Sequence, residues 1–294
     1  MAAVALAVAL VFVFEATGAD ILPGGRSADP AAEQTSADQL IEPPAPEASE
    51  APPEPVVEDW TIPERYSGQV IRRRLRTFEP KLLALTFDDG PDPKVTPRIL
   101  ESLRKHNARA TFFVLGSRAA RHPELMKEIA DQGHAIGSHT ATHLKKPSAA
   151  RAVKELDWTE SVIAETTGRR TSIFRPPYGI LNNQTTAEAI RRGMAVFLWT
   201  ISSADTKKIG AEAIASNVIN TPNPGDIVLM HDGSGHGDTA VAVEKILSEL
   251  SASGYTFVTL PELLSAWDEK KRADEAATAA AAEAAASEAA RLTP

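Results

Sequence analysis

Seven short apolar, β-rich runs recur through the middle of this chain, at residues 82–87, 110–115, 135–140, 172–175, 194–199, 226–230 and 256–260. Helical patterns fill the intervals. Pro97 opens one with Ile99, Leu100 and Leu103 on a face, and Pro123 opens another with Leu125, Ile129 and Ala130, closed by Gly133. A long one runs from Ser148 to Thr167 with Val153, Leu156, Val162 and Ile163; others fit 183–192, 210–220 and 239–253, the last capped by Gly254. Such alternation calls for a mainly parallel sheet with helices outside it. Seven or eight units favour closure over an open doubly wound sheet. No Gly-rich dinucleotide or P-loop fingerprint follows any of the runs, which counts against the open nucleotide-binding sheet as well. The pattern predicts an α/β fold, a distorted (β/α)7-type barrel whose active site lies at the C-terminal ends of the strands.

The segments around this core differ in kind. Residues 1–14 are all apolar and Glu15 ends the run; that is short for a membrane span, which needs ~20 residues, and suits the core of a secretory signal. Thr17-Gly18-Ala19 offers small residues for cleavage, although no Lys or Arg precedes the run. Residues 1–19 are therefore expected to be a signal peptide or an N-terminal membrane anchor, and the protein to work outside the cytoplasm, secreted or membrane-associated. Residues 20–59 hold eight prolines, ten acids and one Arg, a composition that cannot bury enough apolar surface to fold and reads as a disordered tether. Residues 60–78 form a lead-in carrying Arg72-Arg73-Arg74 and Arg76, read as a solvated stretch; 79–267 is the catalytic domain; 268–294 is an Ala/Glu-rich tail with no apolar stripe to dock it. The net charge of −8 argues against a nucleic-acid partner. The absence of cysteine removes disulfides, thiolate metal sites and cysteine nucleophiles together. A monomer is expected.

Chemistry-bearing residues collect just beyond the strand runs. The first run ends in Asp88-Asp89 before Gly90-Pro91, and the third leads into His139-Thr140-Ala141-Thr142-His143. After the fourth comes Arg175-Pro176-Pro177-Tyr178; after the fifth, Trp199 and then Asp205; after the sixth, His231-Asp232. In a barrel these ends converge on one rim. Adjacent residues on an extended strand point to opposite sides, so Asp88 and Asp89 can take different tasks. Two imidazoles four apart share a face if the segment makes a helical turn, and with one Asp oxygen they make a three-ligand site that leaves room for water or substrate. His106, His122, His134 and His236 are read as structural.

These motifs resemble those of the polysaccharide deacetylases, carbohydrate esterase family four, also called the nodulation-protein deacetylase homology domain. The likeness covers about residues 79–265. Thr86-Phe87-Asp88-Asp89-Gly90, Ser138-His139-Thr140-Ala141-Thr142-His143, Arg175-Pro176-Pro177-Tyr178 and Leu229-Met230-His231-Asp232 follow the family's first, second, third and fifth blocks. The fourth block departs: where the family shows Asp-x-x-Asp-Trp, this chain has Ser202-Ser203-Ala204-Asp205-Thr206, keeping the second Asp and losing the groove Trp.

The resemblance implies a division of labour. Asp89, His139 and His143 would hold a divalent metal, zinc first and cobalt or others after it. Asp88 would be the general base, oriented and kept ionised by Arg175. The Tyr178 backbone N–H would face the oxyanion and Leu229 would line the acetyl-methyl pocket. His231 would be the general acid, supported by Asp205. The implied reaction is hydrolysis of N-acetyl groups on an acetylated polysaccharide such as peptidoglycan or chitin oligomers. Removal of O-acetyl esters from xylan, or non-catalytic binding of cell-wall glycan, are the alternatives.

Overall fold

The computed structural model describes residues 60–292, so the predicted N-terminal signal or anchor and the tether, residues 1–59, lie outside the described residues. In chain order the elements are β1 (Val70–Ile71), β2 (Leu82–Asp88), α1 (Thr96–Lys105), β3 (Thr111–Val114), α2 (Gly116–Ala119), α3 (Pro123–Asp131), β4 (Ala135–Ser138), α4 (Ala149–Thr167), β5 (Ile173–Phe174), α5 (Gln184–Arg191), β6 (Ala195–Phe197), β7 (Ile201–Ser202), α6 (Ala211–Ile219), β8 (Ile227–His231), α7 (Gly237–Ala252), β9 (Thr256–Phe257) and α8 (Leu260–Leu292). Each of the seven expected runs contains a strand.

All pairings among these strands are parallel, in the order β1-β6-β5-β4-β3-β2-β8-β7, with β9 added beside β2. β6 lies near one end of this ladder and β7 is the other end, yet only residues 198–200 separate them. The sheet therefore curls until one stretch of chain serves both sides, giving a half-barrel in place of a continuous hydrogen-bonded cylinder. β1, β7 and α2 were not anticipated. The two strands have two residues each and α2 has four, too short to show any hydrophobic period.

β2 is the axis of the core. Its neighbours on both sides and the helices over it leave Leu83, Ala84, Leu85, Thr86 and Phe87 without solvent exposure, which is why it reads as an unbroken apolar run. Phe87 stacks on Phe112 of β3 with ring centroids 5.1 Å apart. The register with β8 sets Asp88 directly beside His231. The helices form where their caps allow. The Ser148 side chain accepts a hydrogen bond from the Arg151 N–H at the start of α4, and Gly168 closes that helix in the left-handed conformation, at φ 69°.

α8 runs unbroken through the expected boundary between domain and tail. Leu260, Leu263, Leu264 and Trp267 of its first two turns are buried, and Trp267 meets Phe78 edge-on. Asp268, also buried, pairs with Arg65 of the lead-in segment. From Arg272 onward every described side chain is exposed, as expected for a sequence with no apolar stripe. Among the described residues no helix is long and apolar enough to cross a membrane.

Candidate active site

The strand ends meet at one rim. Asp88 closes β2 and is buried, whereas Asp89 has already left the strand, with φ at 74°. The alternation expected for adjacent residues on a strand therefore does not hold here, because Asp89 is not extended. Both carboxylates come to the same imidazole: His139 Nε2 lies 3.5 Å from Asp89 Oδ1 and 3.9 Å from Asp88 Oδ2. Their partners separate them. Arg175 donates from Nη1 to Asp88 Oδ1 at 2.8 Å and to Thr86 Oγ1 at 2.7 Å, and from Nη2 to the Leu198 carbonyl. The guanidinium is wholly buried over the Phe113 ring, 4.2 Å from its centroid.

His139 and His143 meet, with ring centroids 5.0 Å apart, but not on a helical turn. Residues 139–148 are loop, and Thr140 and His143 take left-handed conformations at φ 70° and 60°. Other contacts hold this shape. The carbonyls of Thr140 and Ala141 accept from the N–H groups of Gly116 and Ser117 at the start of α2, and Thr140 Oγ1 accepts from the His143 N–H. Glu155 of α4, fully buried, accepts from the Thr142 N–H and hydroxyl, each at 2.7 Å, and from Arg151 Nε at 2.8 Å.

The donor set Asp89, His139, His143 fits a divalent cation. Asp89 Oδ1 is buried without a hydrogen-bond partner, and both imidazole Nε2 atoms face it at 3.4–3.5 Å. His139 Nδ1 lies 2.7 Å from the Arg175 carbonyl, a bond only Nδ1–H can donate, so the lone pair is on Nε2. Burial, and then the neighbouring His139, push His143 down to about 4, so it presents a neutral imidazole. Burial opposes ionisation of Asp89, but the surrounding imidazoles outweigh it and hold the carboxyl below its ordinary range.

Across the rim lies the second pair. His231 Nδ1 is 2.9 Å from Asp205 Oδ1, and Asp205 Oδ2 accepts from the His231 N–H at 2.7 Å and the Thr239 hydroxyl at 2.9 Å. Burial alone would raise the Asp205 carboxyl; the hydrogen bond from His231, the His236 imidazole close by and the Thr239 hydroxyl outweigh it and hold the group well below the usual carboxylate range. Burial also works against the imidazolium of His231, but the Asp205 hydrogen bond and the charges of Asp88 and Asp89 push it up to about 9. Leu229, 8% exposed, sits two residues before His231 on β8 and so on the same side of the strand. Tyr178 stands at φ 58° in a single 3-10 turn with its ring half exposed, its centroid 4.4 Å from that of the His143 ring and 4.5 Å from Lys145 Nζ. Thr206, in place of the family's Trp, is exposed.

Several supporting residues escaped sequence reasoning. Thr86 joins Arg175 to the sheet by donating to the Val228 carbonyl, and Glu155 was only a helix residue with no distinguishing signal. Asp232 fills the space behind the acid pair, accepting from Thr96 Oγ1 at 2.6 Å. Burial, with Asp89 and Asp88 nearby, pushes it up to about 7. A Cβ on Gly90 would fall 2.1 Å from Asp232 Oδ2, so the block needs glycine for space here, not for a left-handed turn. Gly90→Ala should lower stability by about 1–3 kcal/mol, the range for overpacking a filled core, read as a lower urea midpoint. His134 is structural as expected: buried, with Nδ1 accepting from the Ala110 N–H. His236 was placed in the same class. Instead its ring stacks on His231, with centroids 5.1 Å apart, and its Nδ1 lies 3.6 Å from Asp205 Oδ2.

Known proteins share this arrangement of sequence and fold. A family model described as polysaccharide deacetylase matches residues 76–197. A peptidoglycan-N-acetylglucosamine deacetylase of Bacillus cereus is 40% identical over 188 residues, covering 63% of this chain and 88% of that protein. A second Bacillus cereus protein of the same description is 39% identical over 194 residues, 64% of this chain and 70% of that one. A solved mutant form of the peptidoglycan deacetylase PdaC from Bacillus subtilis superposes with a TM-score of 0.63 at 32% identity, covering 68% of this chain and 97% of the other.

Proposed function

The chain belongs to the polysaccharide deacetylase family, and on that premise we propose that it hydrolyses the N-acetyl group of N-acetylglucosamine units in peptidoglycan. One observation carries the reading to chemistry. An Asp–His–His donor set with a buried, unpartnered carboxylate oxygen lies on the same rim as a His231 held protonated by Asp205. Asp89, His139 and His143 would hold a divalent metal, zinc by the chemistry of two imidazoles and one carboxylate. When bound, the cation polarises the acetyl carbonyl and acidifies a water beside it.

The chain's own residues do the rest. Asp88, held in place by the Arg175 guanidinium, takes the proton of the attacking water as the water oxygen bonds to the carbonyl carbon. The Tyr178 N–H faces the developing oxyanion. His231 gives its Nε2 proton to the amide nitrogen as the C–N bond breaks, releasing acetate and leaving the amine on the sugar, while Asp205 holds the ring and the charge. Leu229 borders the acetyl methyl. Export through the N-terminal apolar segment belongs to the same proposal, since peptidoglycan lies outside the membrane.

A second reading rests on Thr206. Without the bulky groove residue, the same machinery would release O-acetyl groups from xylan. Acetate release from peptidoglycan, chitin oligomers and acetylated xylan, with and without chelator, separates the cases. The proposal expects peptidoglycan to be the best substrate and chelator to abolish the activity. Release from xylan alone would transfer the proposal to esters, and release from none would leave a glycan-binding protein.

The pH profile tests the acid. His231 must be protonated to donate, so activity should fall as pH rises through about 9. In Asp205→Asn the support is gone and the alkaline limb should move down toward the ordinary imidazole range, about 6.5. An unshifted limb would remove His231 from the acid role.

A further inference from the structure

The proposed reaction leaves one imidazole beside the acid pair without a task. We propose that Asp205, His231 and His236 form a second zinc site, weaker than the first, whose occupation switches the enzyme off. The inference rests on the reading of His231 as general acid.

The three residues are clustered at the rim, two imidazoles against one carboxylate. One ligand atom from each residue lies within 4.8 Å of the others. His231 Nδ1 stands 2.9 Å from Asp205 Oδ1, and His236 Nδ1 stands 3.6 Å from Asp205 Oδ2. Tetrahedral zinc, with bonds of about 2.0–2.1 Å, sets ligand atoms roughly 3.3 Å apart, so small shifts would seat it. The two rings are nearly parallel, 22° apart, and address the same carboxylate. Asp205 is anchored by the Thr239 hydroxyl and the His231 backbone N–H, while His231 and His236 keep 14% and 17% of their side chains exposed, enough for an ion to enter from the rim. His236 stands at the N-terminus of α7, where its carbonyl accepts from the Thr239 and Ala240 N–H groups and fixes the backbone beside the pair.

The ranking of the two sites follows from what zinc must displace. Asp89 Oδ1 has no hydrogen bond to give up, and His139 and His143 already present lone pairs. In the second site zinc must replace the proton on His231 Nδ1 and break its hydrogen bond to Asp205, releasing that proton to solvent. The first site therefore fills first. Filling the second puts zinc on His231 Nδ1 in place of its proton; the ring keeps its Nε2–H, but giving that proton up would leave an imidazolate in place of a neutral ring, so His231 no longer serves as the acid for the leaving amine.

The test titrates the full chain with zinc, reading bound metal by equilibrium dialysis and acetate release in parallel. Wild type should bind two equivalents, with activity rising on the first and falling on the second. In His236→Gln the second equivalent and the inhibition should both move to at least about tenfold higher free zinc, since even indirect partners of a zinc ligand are worth that much. Activity at limiting zinc should persist. His139→Ala should lose the tight equivalent and keep the weak one. His236→Asn serves if the Gln variant does not fold. A single equivalent in wild type, or a second one indifferent to both His236 variants, overturns the site. A second equivalent that depends on His236 but leaves acetate release untouched overturns the switch and, separately, the acid role of His231.

Discussion

Replacing Asp88 by asparagine should cut acetate release by about 10²–10⁴-fold, the worth of a positioned general base, while bound metal stays unchanged. The substitution keeps size and shape, and the amide oxygen can still accept from Arg175 Nη1; it leaves the buried guanidinium without its counter-charge, so stability should fall, and activity is compared on protein verified as folded. The metal-binding atoms should not respond. Asp88 is turned to Arg175, and its nearer oxygen lies 3.9 Å from His139 Nε2, farther than Asp89 Oδ1 at 3.5 Å. What disappears is a group able to hold a proton beside the acetyl carbon. Acetate release by a fluorescence-coupled assay and metal content by elemental analysis, on the same preparation, decide it. Substantial activity in the variant would take Asp88 out of the mechanism, and loss of metal would make it a ligand.

Arg175→Met should destabilise the protein by about 3–5 kcal/mol, the cost of breaking a buried ion pair from one side. Arg175 is 0% exposed and Asp88 only 3%, so water cannot take the place of the lost guanidinium. Thr86 Oγ1 and the Leu198 carbonyl lose a donor as well. Methionine keeps much of the volume over Phe113, which makes the unpaired carboxylate the main loss. The double variant Asp88→Asn/Arg175→Met should therefore unfold at higher urea than Arg175→Met alone, because no buried charge remains. If adding Asp88→Asn lowers the midpoint further, charge pairing is not what Arg175 contributes.

How much of this could be read in advance depends on the range of the interaction. The first strand was plain because β2 is covered on both sides and every residue from Leu83 to Phe87 had to be apolar or small. The Asp205 pairing with His231 was an implication of the family resemblance, and the pairing of β7 with β8 is what brings the two residues together. The shape of the loop from His139 to His143 was not. A helical turn was the local expectation, but Gly116, Ser117 and Glu155, distant in sequence, hold Thr140 and His143 in left-handed conformations. Asp89 left the strand rule for a similar reason. His236 carried no signal at all, since a histidine in a Gly-rich loop is ordinary until a neighbour is known.

By itself, then, the sequence determined which residues reach the rim: strand–helix alternation makes the sheet parallel, and a parallel sheet delivers all its C-terminal ends to one side. The tertiary structure decided how they are used there. Arg175 claims Asp88 and leaves Asp89 unpartnered, the β2–β8 register sets His231 beside the acids, and the loop after His231 brings a third imidazole to Asp205. Those outcomes depend on contacts a few ångströms long between groups dozens of residues apart, and no local pattern encodes them.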